Sequence, residues 1–261
     1  SVGANLMLLL LEAQEGNWKD LDLVVRQFQR VNQRLRYARR PIVAAPAGRT
    51  LAGGAEICLA AGRVQAAAET YMGLVETGVG LIPAGGGTME MTKRAMGRIP
   101  PEVTADALPL LRWAFETVAL AKVSRSALEA QRLGFLREAD GISINTDRLI
   151  QDAKDAALAM VRLGYRPPLP ARIRVVGQRG RAALESLLSI LKTGGHITAY
   201  DEVVGRKLAA IMAGGDVPEG SGVSEDYLLD LEREAFLSLL GEQKTQERMR
   251  HILQTGKPLR N

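Results

Sequence analysis

The stretch Ala52-Gly53-Gly54-Ala55-Glu56-Ile57 decides how this chain is read, together with Met72-Gly73-Leu74-Val75-Glu76 and the turn Gly80-Leu81-Ile82-Pro83 that follow it. A glycine pair at the mouth of an apolar helix leaves backbone N–H groups bare, where they can stabilise negative charge on a carbonyl oxygen. Glu56 and Glu76 lie within the same short span, and two carboxylates beside such a hole can divide the work of acid and base. Taken singly, Glu56 reads as a helix N-terminal carboxylate favoured by the dipole, and Glu76 as a surface turn residue. Their joint spacing within the glycine pattern makes an active site the better reading.

Working outward, Leu21, Val24, Val25, Phe28, Val31 and Leu35 recur at helical spacing over Asp20 to Tyr37, and Arg39-Arg40-Pro41 stops that helix. Ile42 to Ala47 reads as a buried strand feeding a turn over Gly48 to Leu51, and Gly53 to Ala61 as a helix closed by Gly62 as a C′ glycine. Arg63 to Ala67 returns as a strand. Gly85-Gly86-Gly87-Thr88 heads another helix; with no Gly-Lys-Ser/Thr after it, this triplet is no phosphate loop, and close packing is its expected use. Gly97 to Asp106 is rich in proline and turn formers. Helical patterns resume over Ala107 to Lys122, from the N-cap chemistry of Ser124 to Ala130, and over Asp147 to Leu163. Tyr165-Arg166-Pro167-Pro168-Leu169-Pro170 is the clearest boundary, with four helices expected beyond it: Arg181 to Lys192, Thr198 to Met212, Ser224 to Leu240 and Thr245 to Leu253. Leu228, Leu231, Ala235 and Leu239 give the third of these an apolar face whose partner the sequence does not name.

With 261 residues, 46% of them hydrophobic and 24% charged, the chain can bury a sizeable core. Its net charge of +5 suits a polyanionic ligand but equally an ordinary surface. Nucleic-acid binding is set aside, since clustered basic residues interleaved with aromatics are missing from a chain with four Phe, five Tyr and two Trp. The lone Cys58 rules out a disulfide framework and fits a reducing cytoplasm. Leu8 to Leu11 is halted by Glu12, too short a run to span a bilayer, so no membrane role is expected. His196 and His251 lie far from the glutamates and have no companion cluster, so neither a Ser/His/Asp triad nor a metal site is supported. Arg63 and Lys93 read as solvated charge rather than as ligands of a phosphate.

At the glycine pattern the chain resembles the crotonase (enoyl-CoA hydratase/isomerase) superfamily, whose helix opens with a motif close to G-G-G-x-E and whose second glutamate precedes a G-x-I-P turn. Ala52 stands at the first glycine of that triplet. The resemblance puts one oxyanion N–H on Gly53 and the other on Ala4, because Ser1-Val2-Gly3-Ala4-Asn5-Leu6 is similar to the family's A-G-A-D-like loop. It makes Glu56 the base that activates water and Glu76 the acid that protonates Cα, an order the residues alone leave open. Glu69 to Glu76 and Gly256 to Asn261 are similar to the end of long bacterial bifunctional 3-hydroxyacyl-CoA dehydrogenase/enoyl-CoA hydratase proteins, so the chain is expected to be the C-terminal part of a longer one.

The resemblance implies an α/β fold: a crotonase-like spiral core over residues 1–166 that lacks its N-terminal strands, and a helical C-terminal region over 167–261. It implies hydration of 2-enoyl-CoA in fatty-acid β-oxidation, in the cytoplasm, with acyl-CoA as substrate and no cofactor in this chain beyond that CoA. NAD belongs only to the dehydrogenase region, since no G-x-G-x-x-G fingerprint occurs here. A homo-oligomer, or contact with the dehydrogenase region, is the expected assembly. An enoyl-CoA isomerase and a catalytically inactive assembly module are the alternatives.

Overall fold

A computed structural model describes residues 1–100, 103 and 105–261. Of the proline-rich stretch Gly97 to Asp106, positions 101, 102 and 104 therefore lie outside the described residues. The chain opens with helices α1 (Leu6–Glu15) and α2 (Trp18–Arg36), then runs through strands β1 (Val43–Ala44) and β2 (Gly48–Leu51) into helix α3 (Gly53–Ala60). Strands β3 (Arg63–Ala67) and β4 (Thr70–Gly73) follow, and after a 3-10 turn over Glu76–Val79 come α4 (Gly87–Met96), α5 (Leu108–Ala119) and α6 (Ala127–Arg132). Strand β5 (Gly141–Ser143), α7 (Leu149–Arg162), β6 (Arg172–Arg174), α8 (Gly177–Thr193), α9 (Ala199–Met212), β7 (Gly222–Ser224), α10 (Glu225–Leu240) and α11 (Gln243–Thr255) complete it.

The expected strand over Ile42 to Ala47 is shorter than its pattern, and Gly48 to Leu51, read as a turn, is itself a strand. Both differences have one cause. Pro46 has no N–H to give a ladder, and the chain turns there from one sheet into another. β1 pairs in parallel with β3, and β3 with β5; β2 pairs in parallel with β4, with Gly48 opposite Thr70 and Leu51 opposite Gly73. The corner is closed by the Thr70 hydroxyl, which donates to the carbonyls of Pro46 at 3.1 Å and Ala67 at 2.7 Å. Short strands passing between two sheets, with α3 as the crossover, form the spiral.

α3 is apolar nearly all round, and Ala55, Cys58, Leu59 and Ala60 are buried, which suits a helix inside the core. Its end corrects another expectation. Gly62 is not a left-handed cap, since Ala61 ends the helix in extended backbone; a Cβ at Gly62 would instead meet the Ile42 carbonyl and the Tyr165 hydroxyl, both at 3.3 Å. Close approach explains that glycine.

Two of the helices after the proline boundary start where their caps predict: the Thr198 hydroxyl accepts from Asp201 N, and the Ser224 hydroxyl from Tyr227 N, both at 3.1 Å. The helix expected from Arg181 begins earlier, at Gly177, and the one expected from Thr245 at Gln243, neither with a side-chain cap. The apolar face of α10 finds its partner within the chain. Leu228, Ala235 and Leu239 are buried, and α10 packs on α2, α4 and α9. A continuous apolar core thus runs from Leu10 in α1 to Met249 in α11, and the C-terminal helices form one wall of the volume that holds Glu56.

Candidate active site

Each glutamate is placed by one feature of the local backbone. β2 leads directly into α3 through Ala52, whose φ of 50° and ψ of −127° form a conformation open chiefly to glycine. That residue's N–H donates to Gly73 O at 2.9 Å, so the start of α3 lies against the exit of β4. From there the chain needs only Leu74 and Val75 to reach Glu76. The parallel pairing of β2 with β4 is therefore what brings the two carboxyls, twenty positions apart in sequence, into one region.

Ala52 carries a methyl where the glycine-rich pattern has no side chain, and it pays for this in backbone strain. Such strain amounts to about 1–3 kcal/mol, while glycine gives back about 0.5–1 kcal/mol in chain entropy. Ala52→Gly is expected to stabilise the chain by about 1 kcal/mol, read as a higher urea midpoint. A lower midpoint would show that the methyl's packing against Gly3 outweighs the strain.

Gly53 is the first residue of α3, so its N–H has no intrahelical acceptor, and no side chain caps the helix. Beside it lies the N-terminal loop. Leu51 N donates to Ser1 O at 2.9 Å, and Gly3, at φ 105°, lies so close that a Cβ there would fall 2.8 Å from the Ala52 methyl and 3.8 Å from Gly53 N. Ala4 is exposed and sits between this contact and Asn5, which caps α1 by accepting from Met7 N at 3.0 Å and Leu8 N at 3.3 Å. The structure thus brings Gly53 and the Gly3–Ala4 loop together at the head of α3.

The Glu56 side chain is 4% exposed and reaches from the first turn of α3 to the glycine triplet, where its Oε1 accepts from Gly85 N and Gly87 N, both at 2.8 Å. Burial pushes its carboxyl up to about 7 against the pull of these two N–H groups. Glu76 lies in the 3-10 turn, and its Oε2 is buried without a hydrogen-bond partner among the described residues. Burial first, and the negative charge of Glu56 second, hold that carboxyl well above the usual range. Two neighbouring carboxyls with separated affinities for protons can serve as acceptor and donor.

Sequence reasoning missed a third acid. Glu232, from α10, is fully buried, and its carboxylate accepts from Gly86 N at 2.9 Å and from Met89 N. Burial raises its pKa well above the carboxylate range, and the charges of Glu56 and Glu76 add to that. The signal was present: Glu232 falls in helical step with Leu228, Ala235 and Leu239, as a lone acid on an apolar face. The same holds for Gln29, Asn32 and Arg36, which continue the buried stripe of Leu21 and Val25 on α2. Gln29 Nε2 donates to Ala84 O and Leu229 O, and Asn32 Nδ2 to Gly85 O, all at 2.8 Å.

The glycine triplet therefore does more than pack closely. Gly85 and Gly87 turn their N–H groups to Glu56 while Gly86, at φ 109°, turns its own to Glu232. A Cβ at Gly85 would lie 2.3 Å from the Phe28 ring and 2.6 Å from Glu56 Oε2, which leaves no room for any side chain. Lys93, one of the two basic groups set aside in the sequence, is held by Glu90 at 2.6 Å and Glu225 at 2.8 Å. Among the described residues, no group of three or more His, Cys, Asp or Glu is placed to hold a metal ion, and no helix is long and apolar enough to cross a membrane.

The parallel spiral with a glycine-headed helix at its centre is the crotonase fold, and solved structures share it. An enoyl-CoA hydratase from Bacillus halodurans aligns with a TM-score of 0.59 at 18% identity, covering 95% of this chain and 75% of that one. A carnitinyl-CoA dehydratase from Mycobacterium thermoresistibile aligns with a TM-score of 0.59 at 16% identity, covering 98% and 73%. Over residues 8–106 the chain matches the enoyl-CoA hydratase/isomerase family model. It is also 48% identical over 260 residues to the "Probable 3-hydroxyacyl-CoA dehydrogenase" of Bacillus subtilis (strain 168). That match covers 100% of this chain but 32% of the relative, so the chain spans about a third of that protein's length.

Proposed function

We propose that the chain hydrates 2-enoyl-CoA thioesters to 3-hydroxyacyl-CoA. The observation that carries this reading is the pair of buried carboxyls with raised proton affinity, Glu56 and Glu76, next to the free N–H at the head of α3. In the reaction, the oxygen of water bonds to Cβ as the π bond of the enoyl group breaks, one proton of that water leaves, and Cα gains one. Negative charge gathers on the thioester oxygen meanwhile. N–H groups of Gly53 and Ala4 aimed at that oxygen oppose the build-up, and loss of one such donor typically costs about 3–4 kcal/mol of barrier.

The electrostatics favour one division of labour. Glu56 ionises first because two N–H groups support its charge, and that charge keeps Glu76 protonated. The ionised Glu56 takes the proton from water, and the protonated Glu76 gives one to Cα. No oxidation occurs, so the CoA carried by the substrate is the only cofactor invoked. The 3-hydroxyacyl product has the alcohol that a 3-hydroxyacyl-CoA dehydrogenase oxidises, and the printed name of the Bacillus subtilis relative fits a longer protein in which NAD-dependent oxidation follows hydration during fatty-acid β-oxidation. Exposed apolar side chains on α1 and α2, among them Leu8 at 58% and Val24 at 58%, favour contact with another chain or with such a dehydrogenase region.

The test is turnover of crotonyl-CoA in ¹⁸O-labelled heavy water, with the product analysed by mass spectrometry for both ¹⁸O and deuterium. ¹⁸O at C3 is the expected result. Deuterium exchange without ¹⁸O would mark an isomerase. No reaction at all, from a folded chain, would favour an assembly module.

A further inference from the structure

Glu232 enters the site from the far end of the chain. Its two carboxylate oxygens take the N–H groups of Gly86 and Met89, while the flanking N–H groups of Gly85 and Gly87 both go to Glu56 Oε1. Four amide protons at the head of α4 are thus shared between two acids on opposite sides of a single glycine turn. A triplet without side chains has no packing of its own to fix its dihedral angles. Gln29 and Asn32 hold the carbonyls of Ala84 and Gly85, and Glu232 holds the amides of Gly86 and Met89.

We propose that Glu232 is a positioning residue of the hydration site: by holding Gly86 and Met89 it sets the glycine turn so that the N–H groups of Gly85 and Gly87 meet the Glu56 carboxylate. This rests on the reading of Glu56 as the base. Glu232 touches no reacting atom, and it acts through the turn alone. The alternation of donors is what assigns the role, since rotating the Gly86 peptide to any other acceptor would rotate its neighbours away from Glu56.

The sign of the effect follows from the charges around the pair. After burial, the Glu56 charge raises both Glu76, from the 3-10 turn, and Glu232. Arg36 of α2 and Glu90 of α4, paired at 2.6 Å, line the same small cavity as Glu56, and Lys93 and Arg94 pair with that Glu90. On α10 itself, Arg233 is held by Asp22 and Asp230, and Glu225 by Lys93. None of these cations reaches Glu232. With Glu56 ionised and no cation in contact, Glu232 stays protonated, so Glu232→Gln removes no charge. It does remove an acceptor, because an amide nitrogen cannot accept from the second N–H. The Glu56 carboxylate then loses support, and its proton affinity rises.

The experiment joins kinetics to a direct titration. In Glu232→Gln and in the milder Glu232→Asp, kcat for crotonyl-CoA hydration is expected to fall by roughly 10- to 100-fold with KM changed by less than about threefold, the pattern of a misplaced group. The acid limb of the kcat/KM profile, which reports groups of the free chain, is expected to move to higher pH. Carboxyl ¹³C resonances, with Glu56 assigned through Glu56→Gln, report the same upward shift without any substrate. In the unmutated chain the amide resonances of Gly86 and Met89 move in the same titration step as those of Gly85 and Gly87. A Glu56 titration unchanged in both variants, with only a lower Tm, would reduce Glu232 to a structural prop and overturn the proposal. If the ¹³C shift appears but the unmutated chain hydrates nothing, the positioning stands and the hydratase reading falls.

Discussion

Glu56→Gln and Glu76→Gln are each expected to lower kcat for crotonyl-CoA hydration by about 10²–10⁴-fold, the usual share of a positioned acid or base. In the proposed hydration the two groups serve one water. Glu56 in its ionised form accepts a proton that an amide cannot take, and Glu76 in its neutral form donates one that an amide does not give up. The double variant should be hardly slower than the worse single one, since removing either half of a joint proton transfer already stops it. Fully multiplied losses in the double variant would mean that the two act on separate steps. Binding is expected to survive, with KM changed by less than about threefold, because neither side chain belongs to the N–H groups proposed to hold the thioester.

The same Glu56→Gln chain is expected to be the more stable one at neutral and alkaline pH. Glu56 has its folded pKa raised from 4.5 to about 7 by burial, so its contribution to stability is fully present below 4.5 and is lost as pH rises through 7. At about 1.4 kcal/mol per unit, the loss comes to about 3 kcal/mol by pH 8. Glutamine avoids it at little structural expense, because both N–H groups, from Gly85 and Gly87, fall on the single oxygen Oε1 that the amide retains. Asp140, Asp201 and Glu225, whose pKa values are held below the ordinary range, have the opposite dependence, but they are common to both chains and cancel in the difference. Urea unfolding at pH 5 and pH 8 measures it. A variant weaker than the parent at pH 8 would show that the buried charge is better supported than two N–H groups allow.

Much of this was legible in the sequence, for reasons that differ by element. α2, α7, α9 and α10 follow from apolar spacing and from caps such as Thr198 and Ser224, since both signals are local. Strands β2 and β5 were not legible. At four and three residues they are too short to show alternation, and β2 is read as a turn because of Gly48, which in fact opens the strand just after the corner at Pro46. The motif residues Ala4, Gly53, Glu56 and Glu76 stood out through resemblance, and their spacing supported the last two. The partners of Glu56 did not stand out, because glycine N–H groups carry no side-chain signature. Glu232 was hidden differently: the apolar face of α10 was noticed through its leucines, and the one acid among them was passed over.

Gly86 and Glu232 are joined across 146 positions, and this bears on how the chain acquires its shape. A contact that distant closes a long loop, and such contacts tend to form late. During synthesis from the amino end, the glycine turn, α3 and strands β1 to β5 leave the ribosome well before α10 exists. Over that interval the turn lacks the contacts that Glu232 makes to Gly86 and Met89. A nascent chain of this kind can build most of its scaffold early, yet the surroundings of the glycine turn are complete only once α10 has been made.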